Sequence, residues 1–541
     1  MRLIDTRTLE LVDFSTRKPP QYAILSHTWG DEEVSFLHLQ TDRIREGTGW
    51  QKILQICAIA KEQQINYAWV DTCCINKTSS AELTEAINSM FQWYKHAVVC
   101  YAHLEDLEFS PDQNVCQQLR PCRWWSRGWT LQELIAPQHI EFYDKTWTKV
   151  GTKTDLALSI SKISMVPCRI LLNSLNLAAV SVAARMAWAA DRFTSRPEDE
   201  AYCLLGIFGV NMPLIYGEGK RAFRRLQEEI IKRKNDLTVF ASDDTKDLLA
   251  ESPCGFREMR YLSDHAQSTD FAITNRGLKF SGDMALFGST CSLGGKDPMN
   301  TTIGLLLGYD EDKNRVMLWL RKVQPRLYKC HPKDKLERVP STTKLLGRPA
   351  TDFYIVVDWI PVMERLSQIS REDAMHIPAY LGDCAVVPHM LWDPEDRLIL
   401  KSSRQERMLA IAIEIDIKLD GGSKVDLVVL CRRDPNGTPD LFLVQGEEKD
   451  RICKVLYEHD DRGLSLSWTQ LMLHAPLITN LSNQVKVVQG EDTWQITGFL
   501  KFEVTSPSRP KICFAQRRIA SRYILSHSRR LEIDHPRATS V

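Results

Sequence analysis

Four short apolar runs dominate the first 150 residues, and what separates them decides the fold. Tyr22–Ser26, Tyr67–Val70, Ala97–Tyr101 and His139–Tyr143 have the length and apolar content of buried strands. The segments between them have helical spacing instead. Across Trp50–Gln64, Ile53, Leu54, Cys57 and Ala60 recur at that spacing. Leu83, Ile87, Met90, Phe91 and Tyr94 share one face of a second helix, with Ser79 and Glu82 at capping-box spacing. Trp129–Leu134 is a third helix-forming stretch. Strands alternating with helices predict βαβ units and a parallel sheet over residues 1–150.

A chain of 541 residues is too long for that one core and suggests roughly three or four domains. Residues 151–240 are predicted to be a helical extension: Pro197 suits a helix start, and Phe223, Leu226, Ile230 and Ile231 fall on one side of Glu218–Lys234. Residues 241–541 carry β-rich segments such as Arg315–Leu320, Phe353–Val357 and Leu409–Ile413, which predict a sandwich-like domain. A basic tail starts at about 505. The overall fold class is thus α/β followed by β.

Charge narrows the partners. Lys plus Arg and Asp plus Glu both number 69. A balanced chain has no bulk attraction to phosphate backbones or anionic membranes, so neither nucleic acid nor a membrane is expected as a partner. No stretch reaches the ~18 apolar residues of a membrane span. The residues Met1–Thr6 lack the apolar core of a secretory signal. Fifteen Cys contain no CxxC pair, so no metal site is expected, and reduced thiols in a cytoplasmic protein are.

Chemistry is concentrated in three polar clusters, Ser26-His27-Thr28-Trp29-Gly30, Asp71-Thr72-Cys73-Cys74-Ile75 and Arg127-Gly128-Trp129-Thr130-Leu131-Gln132-Glu133-Leu134. Open parallel sheets bind ligands beyond the carboxyl ends of their strands, so the three are expected to share a crevice. Plainer roles exist for several of these residues. His27 would brace its turn, Asp71 would cap one, and Cys73 and Cys74 would be buried as small hydrophobes. Trp124-Trp125 would belong to core or interface. Tyr216-Gly217-Glu218-Gly219-Lys220 fails the phosphate-loop pattern, with Leu214 where Gly is needed and Arg221 where Ser or Thr should be.

The three blocks, with Tyr22–Leu25 before the first and Trp69-Val70 before the second, resemble the signature blocks of the fungal heterokaryon incompatibility (HET) domain. Ala201–Phe208 and Tyr216–Lys220 extend the resemblance into the helical segment that commonly follows. Lys77 departs from it, since Gln is common there. The resemblance implies a flavodoxin-like fold akin to the Toll/interleukin-1 receptor (TIR) domain, with a role in cell death or self/non-self recognition in a filamentous fungus. Some TIR domains cleave NAD+ through a Glu in a Trp-x-x-x-Glu pattern, which Trp129 and Glu133 match. On that basis Glu133 and Trp129 are the catalytic candidates, and Ser26, His27, Gly30 and Asp71 would bind phosphate or ribose. NAD+ would be substrate, with no resident cofactor, and self-association through the HET domain is implied. The alternatives are a non-enzymatic death adaptor and a regulatory scaffold.

Overall fold

The computed structural model describes residues 1–41, 46–243, 247–265, 270–288, 302–324, 326–330, 336–343 and 346–357. Beyond 357 it describes separate strands between 369 and 514 and the short stretches 450–452 and 454–455. Two compact units result: Met1–Lys296 with Thr302–Arg321 and Lys329–Val357, and Asp297–Thr301 with Lys322–Tyr328 and Asp358–Val541.

The first unit opens with a seven-stranded sheet. In chain order its elements are β1 (Arg2–Asp5), β2 (Leu11–Asp13), β3 (Ala23–His27), α1 (Phe36–Thr41), α2 (Thr48–Glu62), β4 (Tyr67–Trp69), α3 (Asp71–Cys74), α4 (Ser80–His96), β5 (Val99–His103), α5 (Val115–Leu119), α6 (Thr130–Ile135), β6 (Ile140–Tyr143) and β7 (Lys149–Thr152). The strands lie in the order β2-β1-β4-β3-β5-β6-β7. The four strands predicted from the apolar runs form its parallel centre, with β3 pairing β4 and β5, and β5 pairing β6. Every residue of β3 and β5 is buried, as strands covered on both faces require. Antiparallel strands flank this centre, β1 with β2 on one side and β7 on the other, so the sheet is mixed rather than wholly parallel.

The strand order fixes where a ligand can enter. From β3 the chain crosses to β4 on one side, then returns past β3 to β5 on the other. The order therefore reverses between β3 and β5, and it is beyond the carboxyl ends of strands at such a reversal that doubly wound sheets bind ligands. Helix α4 supports this centre from behind. Its Ser79 side chain accepts from Glu82 N at 3.4 Å, but the Glu82 carboxylate takes the Asn76 N–H at 2.8 Å and the Arg2 guanidinium instead of closing the capping box.

Residues 153–262 add short helices, including Ala157–Ser164, Val182–Ala187, Asp199–Tyr202, Leu205–Phe208 and Arg221–Ile231. The Tyr216–Lys220 turn is held from within: Gly217 N and Gly219 N, at φ +102 and +60, both donate to Glu198 Oε1 at 2.7 and 3.0 Å. Hydrogen bonds continue past residue 240. Gln227 exchanges two with Ala250, both at 2.9 Å, and Ser181 Oγ donates to Leu262 O. A fragment ending at 262 is accordingly expected to show a higher thermal midpoint by circular dichroism than one ending at 240. Equal midpoints would show that these bonds do not support the helical segment.

Strands resume at Ser263 and form an eight-stranded sheet running to Ile355. It contains the predicted Arg315–Leu320 run within the strand Arg315–Gln324. Further on, a seven-stranded and a four-stranded sheet are formed. Ile411–Lys418 belongs to the four-stranded one, while 409–410 of the predicted run and most of the basic tail lie outside the described residues. No helix among the described residues is long and apolar enough to cross a membrane.

Candidate functional site

Each of the three polar clusters reaches the carboxyl edge of the central strands. Ser26 and His27 end β3, Asp71 opens the single turn α3 directly after β4, and Glu133 lies on α6. Ser26 Oγ donates to Glu133 Oε2 and accepts from Trp124 Nε1 at 2.8 Å. Glu133 is 7% exposed. Burial, with Asp71 nearby, pushes its carboxyl up to about 8, although the Ser26 and Tyr94 hydroxyls and Arg127 pull in the other direction. Near neutral pH this carboxyl is therefore largely a neutral acid.

A charged layer adjoins it. His27, itself buried, has Nε2 3.4 Å from Glu33 Oε2 and Nδ1 4.0 Å from Asp71 Oδ1. Lys52 reaches inward from α2 to Glu33 at 2.7 Å, Glu105 at 3.1 Å and Thr28 O at 3.3 Å. Gly30 N donates to the same Glu33 at 2.9 Å, so its contribution is a backbone N–H. Burial raises the Glu33 carboxyl, but His27, Gly30 and Lys52 outweigh it and hold the group at about 2. At the end of β5, His103 stacks on Trp147 at 4.3 Å, and neither ring nitrogen has a hydrogen-bond partner. Burial, with Lys52 and His27 beside it, pushes His103 down to about 4, so it is neutral.

Trp29 is at the mouth, 48% exposed, its Nε1 donating to Asp71 Oδ2 at 2.8 Å. Lys77 Nζ lies over its ring, 3.6 Å from the centroid.

The candidates do not all converge. Ser26, His27, Asp71 and Glu133 are neighbours, and Gly30 joins them through Glu33. Trp129 instead interacts with Asp199 of the helical extension. The indole bonded to Ser26 is that of Trp124, which the sequence suggested as core or interface. Lys52, Glu33, Glu105 and His103 carry no functional signal in the sequence and Tyr94 reads only as part of a helix face, although His103 ends a strand, with Glu105 just beyond it, as the other clusters do. Cys73 and Cys74 are buried, and the hydrogen bond with Cys74, then burial, pushes the Cys73 thiol well up, which suits packing and not nucleophilic attack.

The helical extension fixes the block that carries Glu133. Arg127 and Phe193 form a parallel bridge, Gly128 N donates to Phe193 O at 2.8 Å, and Phe193 N to Ser126 O at 2.7 Å. Buried Arg192 donates from Nη1 to Arg127 O at 2.9 Å and Thr130 Oγ1 at 3.0 Å. A Cβ at Gly128 would come within 2.4 Å of Thr194 Cγ2. Gly128→Ala is therefore expected to cost about 1–3 kcal/mol in urea unfolding, the range for overpacking, whereas Gly30→Ala, with 3.9 Å of clearance, is expected to be near neutral.

Fold and site thus define a doubly wound α/β domain with its polar centre at the strand-order switch. Residues 22–111 match the family described as Heterokaryon incompatibility protein (HET). Over 228 residues, 41% of this chain, it is 45% identical to Vegetative incompatibility protein HET-E-1 of Podospora anserina. That stretch spans 17% of the relative's length. Block three lies beyond the matched family segment. No solved structure matches.

Proposed function

We propose that this is a cell-death or self/non-self recognition protein whose HET domain, TIR-like in fold, cleaves NAD+ at the nicotinamide–ribose bond. The observation that carries this is the Ser26–Glu133 hydrogen bond at the sheet's switch point, which brings the first and third blocks together around one carboxyl. Nicotinamide in NAD+ is already cationic. When the ribose C1′–N bond breaks, its electron pair goes to the ring nitrogen and neutral nicotinamide leaves, so no general acid is needed. Water then adds to C1′ and gives up a proton. What the protein supplies is an anion beside the ribosyl cation, in a site with little water. A cation arriving next to Glu133 favours its ionised form, so the carboxyl is charged when it is needed. Asp71 is placed to accept a ribose hydroxyl, and the β-rich half, sandwich-like, acts as sensor or lid.

Incubating the whole chain with NAD+ should release nicotinamide, at a rate rising with pH towards 8 as Glu133 ionises. Absence of release across that range, in dilute and concentrated protein alike, would remove the enzymatic reading. The burial of Glu133 supports a second one: a death adaptor acting by self-association, in which the neutral acid only ties α6 to β3.

A further inference from the structure

In the charged layer Lys52 pairs directly with Glu33 and Glu105; at the mouth the arrangement differs, although Asp71 and Glu33 are near enough to act on the cation there. There Lys77 is placed over a ring face. Its ammonium is 3.6 Å from the Trp29 centroid, well within the ~6 Å of a cation–π contact. The indole is fixed in orientation by its bond to Asp71 Oδ2, yet its surface is half open. The other carboxylate oxygen, Asp71 Oδ1, is buried and receives no hydrogen bond. A cation-binding face and an acceptor without a hydrogen bond, 4.0 Å from His27 Nδ1, therefore adjoin each other, connected through Asp71 to the surroundings of Glu133.

We infer that the face of Trp29 is the stacking platform for a cationic heteroaromatic ring, an N-alkylated pyridinium, with Lys77 holding its place and Asp71 Oδ1 accepting an N–H or O–H from the same ligand. The exchange is favourable on physical grounds. An ammonium is compact and strongly hydrated, and although Lys77 as a residue is exposed, burial around its ammonium lowers its pKa, so the charge regains hydration when the flexible stem swings out. A pyridinium spreads its charge over a flat ring that covers the indole and is poorly hydrated. The inference rests on the NAD+ reading, because it names what recognises the leaving ring.

The test is binding and not turnover. Full-length chain is titrated with 1-methylnicotinamide, methylated on the ring nitrogen and therefore a cation, and with nicotinamide, its neutral counterpart, by saturation-transfer NMR. The cation should bind about 10-fold more tightly, consistent with a partly desolvated cation–π contact. Lys77→Gln should tighten it by roughly 3- to 10-fold by removing the competing ammonium. Trp29→Leu should abolish the binding, and Trp29→Phe, which keeps a ring, should retain part of it; thermal midpoints check that both fold. Equal binding of cation and neutral ring overturns the inference. So does cation binding that survives Trp29→Leu or is unchanged by Lys77→Gln, and so does failure of both parent and Lys77→Gln to bind. Cation binding that responds to Lys77 and Trp29 without any NAD+ cleavage keeps this site and discards the enzyme. Cleavage without such binding does the reverse.

Discussion

Glu133→Gln should leave the protein folded and its NAD+ cleavage 100- to 1,000-fold lower, the loss typical when one preorganised electrostatic contact is removed. Gln keeps the shape: its carbonyl still accepts from Ser26. The pH dependence of stability separates this from a packing effect. The folded carboxyl titrates at about 8 against an ordinary 4.5, because of burial first and Asp71 second. The contribution of the protonated form is thus complete below about pH 4.5 and lost as pH rises through about 8, amounting to several kcal/mol across that window. Gln carries no such loss. The parent and variant should therefore melt together near pH 4.5, with the variant melting higher near pH 8. Parallel melting curves at both pH values would mean that Glu133 is ionised in the fold. Undiminished nicotinamide release, or undiminished killing of expressing cells, would leave only the adaptor.

Lys52→Met should be the most destabilising of the charge-removing changes in the site. Met fills similar space, but Glu33 and Glu105 lose their shared cation in a poorly solvated layer. Removing one partner of a buried pair costs about 3–5 kcal/mol, and the partial exposure of both carboxylates brings the expectation to about 2–4 kcal/mol. The sign with pH is opposite to that of Glu133. Glu33 is depressed to about 2, against burial, by His27, Gly30 and Lys52. Its stabilisation is present above about 4.5 and lost as pH falls through about 2. The gap between parent and Lys52→Met in urea unfolding should therefore be wide at pH 7 and narrow at pH 3. A gap independent of pH would assign the cost to lost packing of the lysine stem.

The central strands were legible because each is a compact apolar run. The edges were not: Arg2–Asp5 and Lys149–Thr152 are four residues long and include charged ones, which gives alternation too little length to register. The site was half legible for a related reason. Strand-end position found Ser26, His27 and Asp71, and the same rule applied to β5 reaches His103 and Glu105. Lys52 is harder to find, since nothing local distinguishes a lysine turned towards a carboxylate pair from one in water. The Trp129–Glu133 pair shows where periodicity misleads. Spacing alone does not aim a side chain: Trp129 immediately precedes α6 and has helical dihedrals, so the i,i+4 relation holds while the direction of the indole is left open. Its indole turns to Asp199, and Trp124 takes the place beside Ser26.

The bridge between Arg127 and Phe193 makes the two segments mechanically one. With the Gly128 N–H, the Phe193 N–H and the Arg192 guanidinium all spanning the same few ångströms, the start of α6 cannot rotate while residues 188–194 stay still. Glu133 is one turn along that helix. Displacing the helical extension would therefore mean either breaking these bonds or moving the start of α6, and with it Glu133, relative to Ser26.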